Sequence, residues 1–592
     1  ERIMKPVIEI LEKRISDAMA AATGETGCSA IVKQAGDPKF GHYQANGCMA
    51  LAKRLKTNPR ELAGKVVEKL ELDDICETPE IAGPGFINLT LKNDFLSERL
   101  LEIAADSERR LAINKADDPE KVVVDFSAPN IAKQMHVGHL RSTIIGDCIC
   151  RMFDFLGHDV IRQNHIGDWG TQFGMLIAYL ESENPEVLER PEDVKIANLE
   201  DFYKKAKAKC DADPEFAELS RQKVVKLHNH DEETIKVWQH IVNESRNHYQ
   251  PIYDMLEVDL HKENERGESF YADRLGGVVG ELKEAGVAKE SEGAICVFPG
   301  GFTNKEGNPL PFIIQKSDGA FLYATTDLAA IRFRIKELGA KKIIYVTDAR
   351  QKLQFEMLFE TAKEAGWLTD DIEVMHVTFG TMLGPDGKPF KTRSGESVKL
   401  RDLLKEAVER AGRIVEEKNP ELEGSEKAEI ANAVGIGAVK YADFSNNRTT
   451  DFVFSFDKML AMEGNTAPYM QYAYARVKSI ERKAADKGVD VAGELGTLKR
   501  LNLDETAESE LALHLIRYSE AIKLAAADCR PNYLTAYLYD LAQKFSSFYN
   551  ACPVIIAGEE KRPTRLMLCR LTAETIAHGL QRLLGIRVVE KM

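Results

Sequence analysis

Asp125-Phe126-Ser127-Ala128-Pro129-Asn130-Ile131-Ala132-Lys133-Gln134-Met135-His136-Val137-Gly138-His139-Leu140 is the stretch on which the reading of this chain turns. Immediately before it, Val122-Val123-Val124 places three β-branched residues in a row, the pattern of a parallel strand covered on both faces. Ser127-Ala128-Pro129-Asn130 breaks that strand. Leu140, Ile144, Cys148, Met152 and Phe155 then recur at helical spacing until Gly157 stops the helix, and Val160-Ile161 starts another strand. Strand, loop, helix, strand in this order opens a doubly wound nucleotide-binding sheet. His136 and His139 lie three apart at the helix start and share a face. The helix N-terminus offers free N–H groups and the positive end of the dipole, which suits an anion. Gly138 leaves the backbone bare, so a flat ring can come close. Alone, His-x-Gly-His is a weak signal; between a buried strand and an amphipathic helix it reads as a phosphate-binding turn with two added donors.

A second strand of the same kind runs through Lys341-Lys342-Ile343-Ile344-Tyr345-Val346, followed by a helix. Upstream, Val7, Leu11, Ile15 and Met19 recur every four residues as one helix face, and Ile81 to Leu89 reads as a turn feeding a short strand. These mark a small N-terminal α/β domain, residues 1–112, joined to the rest by a polar linker. The Rossmann-like domain spans 120–375, with a charged, helical insertion at about 180–275. Residues 376–455 follow as a connecting region, and 456–592 reads as an all-α bundle. Within the bundle, Leu511, Leu515, Tyr518 and Ile522 form one stripe; Tyr533, Tyr537, Leu541, Phe545 and Phe548 form another. Such stripes more often build a bundle core than a ligand platform.

Composition bounds the function. The net charge of -15 argues against non-specific coating of nucleic acid, although a local basic track is compatible with it. Residues 561–592 carry Lys561, Arg562, Arg565, Arg570, Arg582, Arg587 and Lys591 against Glu574 and Glu590. That cluster is either a phosphate track or a solvated helix face. Ten cysteines occur without a C-x-x-C pair, so neither a zinc site nor a disulfide framework is expected; Cys148 and Cys150 read as small buried hydrophobes. Reduced thiols, no apolar run near ~18 residues and an acid-containing N-terminus suggest a cytoplasmic protein without a membrane span.

Taken together, the string Ser-Ala-Pro-Asn-Ile-Ala-Lys followed by His-Val-Gly-His-Leu-Arg-Ser-Thr resembles the HIGH motif of class I aminoacyl-tRNA synthetases, and specifically the arginyl-tRNA synthetase family. Further matches run in the family's order: Phe40 to Asn46, Asn164 to Gly174, Tyr323 to Asp327, and from Gly435 through Asn447-Arg448 to Gln471-Tyr472. His42 departs from the family's usual Asp. The resemblance implies a class I doubly wound parallel-sheet catalytic domain, a domain at 1–112 gripping the tRNA elbow and an anticodon-binding bundle at 456–592. The implied reaction joins L-arginine to its tRNA through an arginyl-adenylate, with ATP and Mg²⁺, in a monomer without structural zinc.

By the same resemblance, His136, Gly138 and His139 bind ATP, and both histidines stabilise charge at the α-phosphoryl. The KMSKS counterpart is the basic loop Gly387-Lys388-Pro389-Phe390-Lys391-Thr392-Arg393-Ser394-Gly395, which lacks the Lys-Met-Ser opening. Lys391 and Arg393 are alternative replacements for the usual lysine, with Lys133 compensating beside the first motif. A guanidinium needs paired acceptors, preferably carboxylate. The resemblance draws these from Asp125, Asn130, Tyr323, Asp327 and Gln351, with Asp327 as the main partner and Asn130, with Asp125, at the α-amino end. From the residues alone, Asp327 reads more readily as the N-cap of a helix continuing through Ala329 and Ile331. Tyr43, Gln44 and Asn46 are candidates for the tRNA elbow; Tyr469 and Tyr472 are either anticodon contacts or core. Because a polar pocket rejects analogues well, no editing activity is expected. Another class I synthetase, a smaller adenylyltransferase and an inactive tRNA-binding relative remain as competing readings. The intact His136, His139 and Asp327 weigh against the last.

Overall fold

Lys121–Asp125 is a strand with its last four residues buried, as three successive valines lead one to expect. It lies inside a four-stranded parallel sheet, between Lys342–Asp348 on one side and Asp159–Gln163 on the other, with Glu373–Phe379 beyond Lys342–Asp348. In this computed structural model, residues 5–390 and 398–592 are described. The helix that follows the first strand, Val137–Phe155, buries fifteen of its residues because it packs between the sheet and further helices rather than against one layer. Its approach to the sheet is close. A Cβ placed on Gly146 would stand 2.2 Å from Cγ of Phe126, the residue just after the strand. Deeper in, Arg141 donates to Asp443 at 2.8 Å and to the carbonyl of Gly380 at 2.7 Å, tying the helix to Gly424–Phe444.

Two compact units form. One contains residues 116–460 and 583–586 and holds the parallel sheet; the other contains residues up to 115 together with 461–582 and 587–592. In the second, the N-terminal segment folds as a four-stranded antiparallel sheet flanked by helices, and residues from Ala467 onward form a helical bundle. The segments read from sequence as separate domains, 1–112 and 456–592, thus share one unit, and buried polar contacts join them. The Tyr43 hydroxyl donates to Glu520 at 2.7 Å, and Gln34 donates to the other carboxylate oxygen at 2.8 Å.

Two features differ from the sequence reading. Residues 288–315 form a three-stranded antiparallel sheet, Ala288–Ser291, Ala294–Val297 and Phe312–Gln315, whose first two strands are joined by a tight turn with Glu292 and Gly293 both at positive φ. Its strands are only four residues long, too short for a period-2 pattern to stand out. The Leu511–Ile522 stripe is split between two helices, Thr506–Ile516 and Tyr518–Ala527, although all four apolar residues are buried as a bundle core requires. Cys148 and Cys150 are fully buried. Among the described residues, no helix is long and apolar enough to cross a membrane.

Gly146→Ala is expected to destabilise the sheet-containing unit by about 1–3 kcal/mol through overpacking against Phe126. Gly412→Ala, whose added Cβ meets only an ordinary contact at 3.7 Å, is expected to leave the unfolding midpoint level or slightly raised. Urea or thermal unfolding of the two variants measures the difference.

Candidate active site

Between the first strand and its helix the chain turns through three non-glycine residues in left-handed conformation, Ser127 (φ 76°), Ala128 (φ 50°) and Ala132 (φ 59°). Each such residue costs roughly 1–2 kcal/mol, so the surroundings must hold them. The amide of Ser127 donates to the Ser142 hydroxyl at 2.9 Å, and that of Ala128 to Oδ1 of Asn164 at 3.0 Å. Asn130 is exposed on the following stretch, which is hydrogen-bonded to the Ile166–Gly167 backbone.

At the helix start the two histidines fold back on their own backbone. Nδ1 of His136 accepts the Gly138 amide at 3.0 Å; Nδ1 of His139 lies 3.2 Å from the His136 amide. The rings sit 4.1 Å apart between centroids. With Nδ1 of His136 accepting, its neutral ring carries the proton on Nε2 and keeps one donor for a ligand. Burial pushes the pKa of His136 down, with Lys133 adding to the shift, and takes that of His139 to about 4, so both imidazoles are neutral at pH 7. Lys133 is exposed, its ammonium 4.9 Å over the Tyr203 ring.

Two expectations change here. The first-turn amides are not free: Val137 donates to the Val398 carbonyl at 3.0 Å, Gly138 to His136, and His139 to the His136 carbonyl at 2.9 Å. An anion therefore meets the imidazoles and the dipole rather than unpaired N–H groups. Gly138, in turn, is bare because the His136 ring lies over it; an added Cβ would sit 2.7 Å from Cε1 of that ring.

The chain following the loop that resembles the second class signature returns to the same place. Gly384 to Pro389 forms a tight hairpin in which the Gly384 amide donates to the Lys388 carbonyl at 2.7 Å. Lys391 and Arg393 lie outside the described residues. Beyond them, Val398 and Leu400 pair with Val137 and Met135, so the chain re-emerges against the histidine turn.

Across the sheet end lies a group of carboxylates. Asp327 sits in the first turns of the Tyr323–Lys336 helix, four residues after Tyr323, which is 69% exposed. Its Oδ2 accepts from Gln354 at 2.5 Å, and burial raises its pKa to about 6. It is not an N-cap, since Leu322 occupies that position. Glu268 begins the short Glu268–Tyr271 helix; burial, with the nearby charges of Asp168 and Asp327, lifts its pKa to about 8. Glu268 is also the main cause of the raised pKa of Tyr323, which places the phenol within its electrostatic reach. Asp168 is buried, held by the Ser269 amide at 2.9 Å and hydroxyl at 2.6 Å, with its pKa raised to about 6 by burial. Among the described residues, none of these three carboxylates forms an ion pair with Lys or Arg.

Asp125 behaves differently. Its carboxylate accepts from Arg334 at 2.7 Å, and Arg334, fully buried, also donates to Gln163 at 2.7 Å. The expectation that Asp125 takes a substrate amine is corrected: this acid is already matched to a buried guanidinium. Gln351 is exposed where the Lys342–Asp348 strand runs into the next helix; Gln354, one turn on, is the amide that reaches Asp327. Sequence reasoning missed Glu268. Its only local signal is a carboxylate following glycine in Gly267-Glu268-Ser269, at a helix start.

Family models match along most of the chain: a "tRNA synthetases class I (R), catalytic domain" over residues 102–456, an "Arginyl tRNA synthetase N terminal domain" over 9–91 and a "DALR anticodon binding domain" over 470–592. The chain belongs to the arginyl-tRNA synthetase family. Proteins named arginine–tRNA ligase from a Picosynechococcus species and a Nostoc species are 51% and 50% identical to it, each alignment covering 100% of both chains. Arginyl-tRNA synthetase from Plasmodium falciparum superposes with a TM-score of 0.84 at 31% identity, covering 100% of both chains. The Thermus thermophilus arginyl-tRNA synthetase gives 0.80 at 25%, covering 99% of this chain and 100% of that one. As in that family, a parallel-sheet class I catalytic domain stands with an N-terminal domain and a helical C-terminal domain.

The residues expected to touch RNA divide sharply. Tyr43 is fully buried against Glu520, with the Arg517 guanidinium 4.7 Å over its ring, so it has no open face for a base. Gln44 is tied to Asn88 at 2.8 Å, and Oδ1 of Asn46 is enclosed. Packing at the synthetase's N-terminal sheet has claimed these side chains. Tyr469 is half-buried beside Tyr539, whereas Tyr472 is exposed on the same helix. The basic terminal cluster is largely neutralised: Lys561, Arg562, Arg565 and Arg570 pair with Glu505, Glu494, Glu508 and Glu574. Three of those acids lie outside the segment, which is why its sequence looked basic.

Glu268 titrates at about 8 in the folded protein against 4.5 when unperturbed. Between those values the folded state binds more protons than the unfolded one, so stability falls as pH rises through roughly 5 to 8. Glu268→Gln is expected to flatten this slope, with a melting temperature at pH 8 roughly 2 °C or more above wild type. Melting curves from pH 5 to 8 without substrate measure it.

Proposed function

We propose that this chain is an arginine–tRNA ligase that activates L-arginine with ATP and transfers it to the 3′-terminal adenosine of its tRNA. The observation that carries this reading is the carboxylate group around Asp327 and Glu268, without a Lys or Arg partner among the described residues, in the same unit as a histidine turn that follows a parallel strand. A buried acid without a cation is costly, and a guanidinium restores the balance with planar, charge-assisted bonds. Asp327 and Glu268 take the guanidinium, Tyr323 closes over it, and Asn130 holds the α-amino end.

In the first step an oxygen of the arginine carboxylate attacks the α-phosphorus of ATP, and pyrophosphate leaves. His136 and His139, being neutral, act as hydrogen-bond donors to phosphate oxygens through Nε2 while the helix dipole supports the developing charge. Lys133 supplies the nearby positive charge, with Lys391 or Arg393 as its counterpart from the second signature. Mg²⁺ would travel with the triphosphate: among the described residues no group of three or more His, Cys, Asp or Glu is arranged to hold a metal. In the second step a ribose hydroxyl of the tRNA terminus attacks the activated carbonyl and AMP departs. Tyr472, with Tyr469 beside it, is the aromatic surface for anticodon bases. The enzyme works as a cytoplasmic monomer, and the polar pocket makes hydrolytic editing unnecessary, since an analogue lacking the guanidinium leaves acceptors unpaired.

A charging assay with arginine, ATP and tRNA tests the reading directly; transfer of another amino acid, or none, overturns it. Asp327→Asn is expected to raise the KM for arginine by at least about tenfold while that for ATP changes little. Lys133→Ala is expected to slow adenylate formation, read by ATP–pyrophosphate exchange with tRNA present, far more than it weakens tRNA binding.

A further inference from the structure

The left-handed residues of the histidine turn are held from outside by one helix of the insertion, Glu232–Leu256. Ser245 accepts the amide of Ala132 at 3.0 Å, and its own proton goes to the Ile241 carbonyl at 2.8 Å. Two turns further along, about 12 Å by helical rise, the Tyr253 hydroxyl lies 2.7 Å from the Ser127 hydroxyl and 3.1 Å from Nδ2 of Asn164. That same Asn164 receives the amide of Ala128 through Oδ1. All three left-handed residues therefore depend on Ser245 or Tyr253, directly or through Asn164.

Proton counting gives this network one direction. Thr143 donates to the carbonyl of His139 at 2.8 Å, so it must accept from Ser127, 2.8 Å away. Ser127, having spent its proton, accepts from Tyr253, and Tyr253 accepts from Asn164. The chain Asn164, Tyr253, Ser127, Thr143 ends on the backbone of the second histidine. Tyr253, Ser127, Thr143 and Asn164 are each at most 4% exposed. Aligned hydrogen bonds in such surroundings strengthen one another, and an unfilled position is costly.

We propose that Tyr253 and Ser245 are positioning residues for adenylate formation: through Ser127, Asn164 and Ala132 they set the geometry in which His136 and His139 meet the triphosphate. This rests on the assignment of the turn to ATP given above. Neither side chain touches substrate. The insertion helix thereby acts as the template on which the nucleotide turn is bent, in addition to whatever its outer face contacts.

The test uses the full-length enzyme with tRNA, ATP, Mg²⁺ and arginine. Tyr253→Phe and Ser245→Ala are each expected to lower kcat for ATP–pyrophosphate exchange about tenfold or more, because small displacements of reacting groups are costly. KM for arginine should rise much less than kcat falls, since the pocket acids lie on other elements and only Asn130 shares the turn. Glycine adopts positive φ freely, so adding Ala132→Gly to Ser245→Ala, or Ala128→Gly to Tyr253→Phe, should restore part of the rate. A merely structural role predicts lower melting temperatures, unchanged kcat per folded molecule and no rescue by glycine; that result overturns the proposal. Should Tyr253→Phe fail to fold, the Ser245→Ala pair carries the same test. Wild-type enzyme that does not charge tRNA with arginine would instead refute the functional reading, an outcome distinct from normal charging by unaffected variants.

Discussion

The chain has to leave a fully buried parallel strand and, within eleven residues, begin a helix that packs back across the same sheet. Pro129 and the closeness of Gly146 to Phe126 leave little room for a wide loop. The chain meets this constraint with left-handed kinks at Ser127, Ala128 and Ala132, which no isolated peptide of this sequence would favour. What makes the kinks tolerable is hydrogen bonding from three other segments: Ser142 and Thr143 on the motif helix, Asn164 after the neighbouring strand, and Tyr253 and Ser245 on the insertion helix. Strain of this sort persists where the surroundings over-determine the backbone. Here it delivers two imidazoles to the carboxyl end of the sheet, where doubly wound folds bind their ligands.

Charge is distributed with equal economy around the cleft. Asp125 and Arg334 satisfy one another in the sheet interior, and Arg141 with Asp443 does the same beside it. Asp327, Glu268 and Asp168 have no such partners and respond by holding protons more tightly. The contrast separates acids matched to a buried guanidinium from acids without a cation more clearly than residue type does. On the proposed function, a substrate that carries its own permanent cation completes the second group, and one that lacks it leaves buried acceptors unpaired.

The nucleic-acid side follows a different logic. A protein of net charge -15 cannot rely on overall attraction to a polyanion. Its basic C-terminal segment, which looked like a phosphate track, spends much of its charge on internal pairs. Tyr43 likewise serves the union of the N-terminal sheet with the helical bundle through Glu520. Tyr472 stays exposed, and on the proposed reading such an aromatic stacks on bases without needing net charge.

Much of this was legible in the linear sequence, because local rules govern it. Three valines in a row, a Pro break and a helical stripe from Leu140 to Phe155 announce the strand–turn–helix, and the spacing of His136 and His139 announces their shared face. Tyr323 and Asp327 were singled out by the family resemblance, and their spacing of four residues on one helix agrees with a shared face. Residues whose partners are remote in sequence were not legible. The pairing of Asp125 with Arg334 spans 209 positions, and Tyr43 reaches Glu520 across 477. Glu268 gains its raised pKa only when folding places it with Asp168 and Asp327 away from water. Sequence determines which side chains can donate, accept or carry charge. Tertiary structure decides which of those capacities are already spent, because desolvation and pairing depend on neighbours that only the folded chain brings together.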